Sequence, residues 1–226
     1  MTCRQRHGAA ESDRQRWNAR YGGGFAPSFR AHRLAELALS LPLPAGPVLD
    51  LASGPSGTIL LAAAGGRPSV AVDISEAALR LLRSEAVTRR LSRLIATVQA
   101  DLGSWRPRAM SCALVLCTGY WDRDLFPGAA IAVRSGGLLG WEAFTTDALR
   151  VRPRLPAEWC LLPGEPASLL PGDYEILSQQ DLSDDRGGQR RRMLARRRVR
   201  AGDLSLRVHP RLAVQGVPLA VPGRLD

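Results

Sequence analysis

Three acids close three apolar runs in the first half of the chain. They are Asp50 in Val48-Leu49-Asp50-Leu51, Asp73 at the end of Val70–Asp73, and Asp101 after Ile95–Ala100. A loop of small residues, Ala52-Ser53-Gly54-Pro55-Ser56, follows the first run and opens into a helical segment at Gly57. Small residues let a backbone approach a ligand closely. A helix start offers unpaired N–H groups to an anionic group. If each run is a strand of one parallel sheet, Asp73 is placed to accept hydrogen bonds from both hydroxyls of a ribose. Asp101 is placed to accept one from an exocyclic amine of the base. Such a pair suits adenosine without phosphates, since no P-loop Lys and no Arg stand near the loop.

A second set of candidates follows the fourth apolar run, in Cys117-Thr118-Gly119-Tyr120-Trp121-Asp122-Arg123. Tyr120 and Trp121 offer aromatic faces to a cation. Asp122 would orient or deprotonate a substrate, and Arg123 would bind an anionic group. Bland roles compete with these: a salt bridge of Asp122 and Arg123 capping the next helix, and core packing for Trp121. Glu142, near the end of the fifth run, is a further base candidate or a buried partner for an Arg. Trp17 and Tyr21 lie four apart and so share one helix face.

The elements that must hold these residues alternate, and the fold class expected is α/β with a mostly parallel sheet. Strands are predicted at 47–51, 69–73, 94–99, 111–117, 137–143, 173–182 and 189–199, the last two an antiparallel hairpin through Asp184–Gly188. Helices are predicted at 57–65, 75–91, near 125–134 and near 144–149, with Ser75 capping the second. Ahead of the sheet, residues 1–10 are expected to lack structure and 11–21 to form a short helix. Gly22-Gly23-Gly24 is a hinge or a plain connector. Ser28 is expected to cap a helix carrying Leu34, Leu37 and Leu41. Residues 151–172 form a Pro-rich insertion, with one helical turn at 165–170. The domain is read as 11–200, with 201–226 an extension beyond it.

All 31 basic residues are Arg, and the formal net charge is +10. Eight Arg fall in the fifteen positions of Arg186–Arg200. No aromatic residue stands among them to stack bases. An antiparallel strand with solvated Arg side chains, and with Met193, Leu194, Ala195 and Val199 buried, accounts for the run, so a nucleic-acid partner is not expected. No run of 18 apolar residues is present, and the charged start has no apolar leader core. These point to a cytoplasmic protein with no membrane partner. Cys3, Cys112, Cys117 and Cys160 form no C-x-x-C, and with three scattered His they suggest no metal site.

With these residues in place, the chain resembles class I S-adenosylmethionine-dependent methyltransferases. VLDLASGPSG is similar to their first motif, VAVDIS to the second and QADL to the third. LCTGYWDRDLF is similar to the fourth strand and its loop, and RSGGLLGWEAF to the fifth. Within the class the chain most resembles the tellurite-resistance and thiopurine-type small-molecule group, through Trp17-Asn18-Ala19-Arg20-Tyr21 and Leu162-Pro163-Gly164-Glu165. The resemblance covers roughly residues 15–200. It implies a Rossmann-like seven-stranded sheet with helices on both faces. It implies S-adenosyl-L-methionine as cofactor, S-adenosyl-L-homocysteine as product, and a small-molecule acceptor methylated by in-line transfer. The cofactor would be held by Trp17, Tyr21, Asp50, Ala52, Ser53, Gly54, Gly57, Asp73, Ile74, Asp101, Leu102 and Cys117. Tyr120, Trp121, Asp122 and Arg123 would form the catalytic edge.

The chain departs from the commonest first motif at Ala52 and Ser56, where Gly is usual. Ala52 is comfortable there with a negative φ; Ser56 would be strained with a positive one. Three other readings stay open. RNA methylation is motivated by the Arg content. A catalytically weak S-adenosylmethionine-binding protein is motivated by Ala52 and Ser56. An NAD-dependent dehydrogenase is motivated by Ala52-x-Gly54-x-x-Gly57, which lacks the first Gly of its fingerprint.

Overall fold

The computed structural model describes residues 3–185 and 187–199. Seven strands form one sheet: β1 (Val48–Leu51), β2 (Ser69–Asp73), β3 (Ile95–Gln99), β4 (Cys112–Thr118), β5 (Val133–Phe144), β6 (Tyr174–Ser183) and β7 (Gln189–Arg197). Their order is β3-β2-β1-β4-β5-β7-β6. Neighbours are parallel from β3 through β5, and β7 runs antiparallel to both β5 and β6. The helices are α1 (Cys3–Gly22), α2 (Arg33–Ser40), α3 (Gly57–Ala64), α4 (Glu76–Thr88) and α5 (Phe126–Ala132). The fold is therefore the Rossmann-like α/β sheet expected.

Strand alternation sorts the core into two layers. Val48, Leu114, Leu116, Leu138 and Leu194 pack with Leu34, Ile59 and Leu82 of α2, α3 and α4. Leu49, Leu51, Val115, Leu139, Trp141 and Met193 pack with Phe126 and Ala129 of α5. β1 is buried along its whole length and β4 along all but its last residue, which is why both read as apolar runs without alternation.

Several expectations shift at the edges. α1 begins at Cys3 and so takes in most of the 1–10 stretch expected to lack structure. The cap of α2 is His32, whose Nδ1 accepts the Leu34 N–H at 3.2 Å; Ser28 instead accepts from Arg30 in a local turn. Leu37 of α2 is exposed, and Ala35 and Ala38 bury in its stead. β5 starts at Val133, four residues early, and its register on β4 shifts between Cys112 and Leu114. A Cβ on Gly137 would meet the Ala113 carbonyl oxygen at 2.7 Å, so that irregular stretch needs glycine.

The Arg-rich strand β7 buries Met193, Leu194 and Ala195 as expected, but Val199 lies past its end and is exposed. Its Arg side chains are not simply solvated. Arg191 pairs with Asp181, Arg192 with Glu142 and Arg197 with Asp173. Arg186, Arg200 and the extension 201–226 lie outside the described residues. Among the described residues, no helix is long and apolar enough to cross a membrane, and Cys112, Cys117 and Cys160 are buried free thiols.

Candidate functional site

The strand order reverses between β1 and β4, where open α/β sheets form a crevice at their carboxyl edge. A cavity of about 190 Å³ sits there. Of the residues named from the sequence, Trp17, Tyr21, Ala52, Asp73, Ile74, Asp101, Leu102 and Tyr120 line it. Asp13, Ala100, Thr118 and Gly119 complete the wall. Asp13 had no signal beyond its place one helical turn before Trp17. Thr118 ends β4 and Gly119 opens the loop after it, where small residues carry no chemical signal beside Tyr120 and Trp121.

Local chemistry explains the cavity floor. Asp73 ends β2 with its carboxylate turned back to the β1 loop, where Oδ2 accepts the Gly54 N–H at 2.7 Å and Oδ1 the Ser75 N–H at 2.8 Å. Burial pushes its pKa above the ordinary carboxylate range, while the Ser75 and Gly54 N–H groups pull the other way. Asp101 Oδ1 accepts the Gly103 N–H at 2.8 Å at the end of β3. A carboxylate has about four acceptor sites, so both acids keep capacity for a ligand.

The β1 loop differs from the expectation at both unusual positions. Ala52 has φ 49°, the left-handed region, and so carries the strain. Ser56 has φ −60° and caps α3 without strain, accepting the Ile59 N–H at 3.0 Å and donating to Asp50 Oδ2 at 2.6 Å. Burial drives the Asp50 pKa up to about 7, against the pull of the Ser56 hydrogen bond. Asp50 thus lies beneath the loop rather than in the cavity wall. Ser53 donates its N–H to Val72 and its hydroxyl to the Gly54 carbonyl. Gly54 has φ 57°, and a Cβ on it would stand 3.1 Å from the Tyr21 hydroxyl.

Gly57 serves the chain's own packing. A Cβ there would meet the Arg30 carbonyl carbon and oxygen at 2.4 Å, because the segment before α2 crosses the start of α3. The Cα face of Gly57 at this helix start is therefore covered by the chain itself. Cys117 is fully buried on the α5 side, its thiol on the Tyr120 carbonyl at 3.5 Å, and does not reach the cavity.

α1 closes the cavity from above. Trp17 and Tyr21 stack at 6.0 Å between centroids, and Tyr21 meets Phe25 edge-on at 5.3 Å. Asn18 fastens this helix to α4: its Oδ1 accepts the Ser75 hydroxyl at 2.8 Å and the Ala77 N–H at 3.1 Å. Arg16 spans the gap to the insertion, lying 5.2 Å from the Trp17 centroid and 5.1 Å from that of Trp159.

The expected catalytic edge divides. Tyr120 reaches the cavity, its hydroxyl 3.4 Å from Asp122 Oδ2; burial pushes that phenol well above its usual range. Trp121 does not. It is 3% exposed and packs against Phe126 and Trp141 at 5.5 and 5.8 Å, so its faces are taken by the core. Asp122 Oδ1 accepts the N–H groups of Asp124 and Leu125 ahead of α5. Arg123 pairs with buried Glu165 of the insertion, not with Asp122. Glu142 is no free base. Burial alone would raise it, but His32 and Arg192 outweigh that and hold it at about 2.

No family model and no curated protein sequence matches the chain. Solved structures do. Geranyl diphosphate C-methyltransferase from Streptomyces coelicolor A3(2), solved with S-adenosyl-L-homocysteine, superposes with TM-score 0.60 at 13% identity, over 73% of this chain and 80% of that one. TehB from Haemophilus influenzae gives TM-score 0.60 at 17% identity, over 80% and 67%. The [4+2]-cyclase SpnF gives 0.61 at 13%, over 82% and 92%. The fold is shared with these proteins. At such identities the likeness speaks for the fold alone.

Proposed function

We propose that this protein transfers a methyl group from S-adenosyl-L-methionine to a small-molecule acceptor. The observation that carries the reading is the cavity at the strand reversal, with Asp73 and Asp101 at the ends of adjacent strands β2 and β3 and aromatic Trp17, Tyr21 and Tyr120 around them. S-adenosylmethionine, when bound, would supply the methyl group on an already activated sulfonium. Asp73 would hold the ribose hydroxyls and Asp101 the adenine amine. Ala52, at φ 49° in the cavity wall, would bring the β1 loop backbone against the ligand. Gly119 has φ 92° and open space where a Cβ would stand, so the wall after β4 leaves room for the reacting end. Trp17, Tyr21 and Tyr120 would exclude water and face the positive sulfur.

A second reading, binding without methyl transfer, draws on the missing base: Asp122 is occupied by backbone N–H groups and Glu142 by cations. Positioning alone suffices for a soft or ionised acceptor, which favours transfer. Calorimetry with S-adenosylhomocysteine, S-adenosylmethionine and NAD tests the cofactor; heat for NAD and none for either adenosyl ligand would overturn the proposal. Mass spectrometry of a metabolite pool incubated with S-adenosylmethionine then separates transfer from binding.

A further inference from the structure

Beyond the cavity, three Arg side chains, Arg152, Arg190 and Arg192, gather at the carboxyl edge of the sheet beside the carboxylates of Glu142 and Asp184. Thr118 lines the cavity; its neighbour across β5 is Glu142, and the next across β7 is Arg192. Gly119, also in the cavity wall, donates its N–H to the Glu142 carbonyl at 2.7 Å. Two strand spacings, roughly 10 Å, therefore separate the cavity wall from β7, within reach of a small acceptor.

The Glu142 carboxylate is asked to serve three groups. Arg192 Nε lies 2.6 Å from Oε2, His32 Nε2 3.3 Å from Oε1, and Arg190 Nη1 3.7 Å from Oε1. His32 accepts the Leu34 N–H on Nδ1 and turns Nε2 to the carboxylate. Two guanidiniums then share one carboxylate, and Arg190 holds the distant share. Its guanidinium lies over the Phe144 ring, 4.1 Å from the centroid, and its side chain is 32% exposed. Arg152 lies over the same ring at 4.9 Å; its Nη2 pairs with Asp184, and its Nε is buried without a hydrogen-bond partner among the described residues. Stacking on a fixed ring pre-orders the planar fork of Arg190, which lowers the entropy cost of binding a planar or tetrahedral oxyanion.

We propose that Arg190, stacked on Phe144 beside Glu142 and Arg152, binds an oxyanion, carboxylate or phosphate, on the methyl acceptor. The word acceptor rests on the methyl-transfer reading; the anion site rests on the geometry just described. The full chain, saturated with S-adenosylhomocysteine, is titrated by calorimetry with inorganic pyrophosphate, with benzoate and with neutral benzamide. Pyrophosphate or benzoate should bind saturably and benzamide should not; which of the two binds tells phosphate from carboxylate. Arg190→Gln should weaken that binding at least tenfold, Arg190→Lys several-fold, and exposed Arg80→Gln not at all. Thermal unfolding checks that each variant is folded, and Arg190→Lys keeps the test open should Arg190→Gln fail to fold. Absence of saturable oxyanion binding, or equal affinity in wild type and the folded Arg190 variants, would overturn the proposal. Oxyanion binding without any affinity for S-adenosylhomocysteine would instead overturn methyl transfer and leave the anion site standing.

Discussion

The Ser56 hydroxyl donates to Asp50 Oδ2 at 2.6 Å while accepting the Ile59 N–H at 3.0 Å. One side chain thus joins the buried acid of β1 to the first turn of α3. Glycine at this position would supply neither bond. Ser56→Ala should destabilise the protein by roughly 1–3 kcal/mol, since it removes the cap and leaves a buried carboxyl unsatisfied. Urea unfolding at fixed pH measures it; a loss under about 0.5 kcal/mol, the scale of a surface change, would show that the bond contributes little.

Asp50 also sets a pH dependence. Its folded pKa of about 7 lies above the ordinary value of 3.8. The folded state therefore binds more protons than the unfolded state between these values, and stability falls as pH rises. The contribution is fully present below about pH 4 and lost as pH rises through 7. Asp50→Asn keeps an acceptor for Ser56 but cannot ionise. The difference in unfolding free energy between this variant and wild type should grow in the variant's favour from pH 5 to pH 8. A constant difference over that range would place the Asp50 pKa in the normal range.

Asp73→Ala should cost more than Asp101→Ala in both stability and affinity. Asp73 satisfies the N–H groups of Gly54 and Ser75 from a buried position, whereas Asp101 satisfies that of Gly103 from a half-buried one. Charge-assisted hydrogen bonds are worth roughly 1.5–3 kcal/mol each, so S-adenosylhomocysteine affinity should drop at least tenfold for Asp73→Ala. Calorimetry on the folded variants decides it, and the opposite ranking would move the ribose away from Asp73.

Trp121→Ala should behave as a core deletion. Loss of a buried Trp typically costs about 3–5 kcal/mol, and this one packs on Phe126 and Trp141. Tyr120→Phe, by contrast, removes a hydroxyl at the cavity wall and should leave unfolding almost unchanged. Thermal melts of the two side by side test this; a Trp121→Ala protein as stable as wild type would return the residue to the list of surface candidates.

These contrasts mark where the sequence was legible. β2 matches its predicted bounds because Ser69–Asp73 is a buried run ended by an acid. Asp73, Asp101, Trp17 and Tyr21 line one cavity because strand ends and helix spacing fix where they point. Gly57 was misread because a close approach needs glycine whether the neighbour is a ligand or, as here, the Arg30 backbone. Ala52 and Ser56 exchanged roles because φ depends on the whole loop and not on residue type. Trp121 was misplaced because the loop after β4 turns inward, a tertiary fact with no local signature. The position of Arg190 opposite Phe144 depends on β7 pairing with β5 rather than on any motif.

Asn18 is the residue on which closure of the cavity should depend. Its Oδ1 receives the Ser75 hydroxyl and the Ala77 N–H, so it holds α1 on the first turn of α4, while Trp17 and Tyr21 on the same helix face the cavity. Just beyond lies Gly22-Gly23-Gly24, where chain direction changes and Gly24 has φ 78°. Asn18→Ala removes both contacts and touches no residue of the cavity wall. Each lost neutral hydrogen bond is worth about 1 kcal/mol, so the docked state of α1 should weaken by roughly 2 kcal/mol, while global unfolding in urea should change less because the sheet core is untouched. Limited proteolysis between Gly22 and Phe25 should speed up several-fold in the variant, and S-adenosylhomocysteine should restore protection. Unchanged cleavage and unchanged affinity would show that aromatic packing of Trp17 and Tyr21, not Asn18, keeps α1 in place.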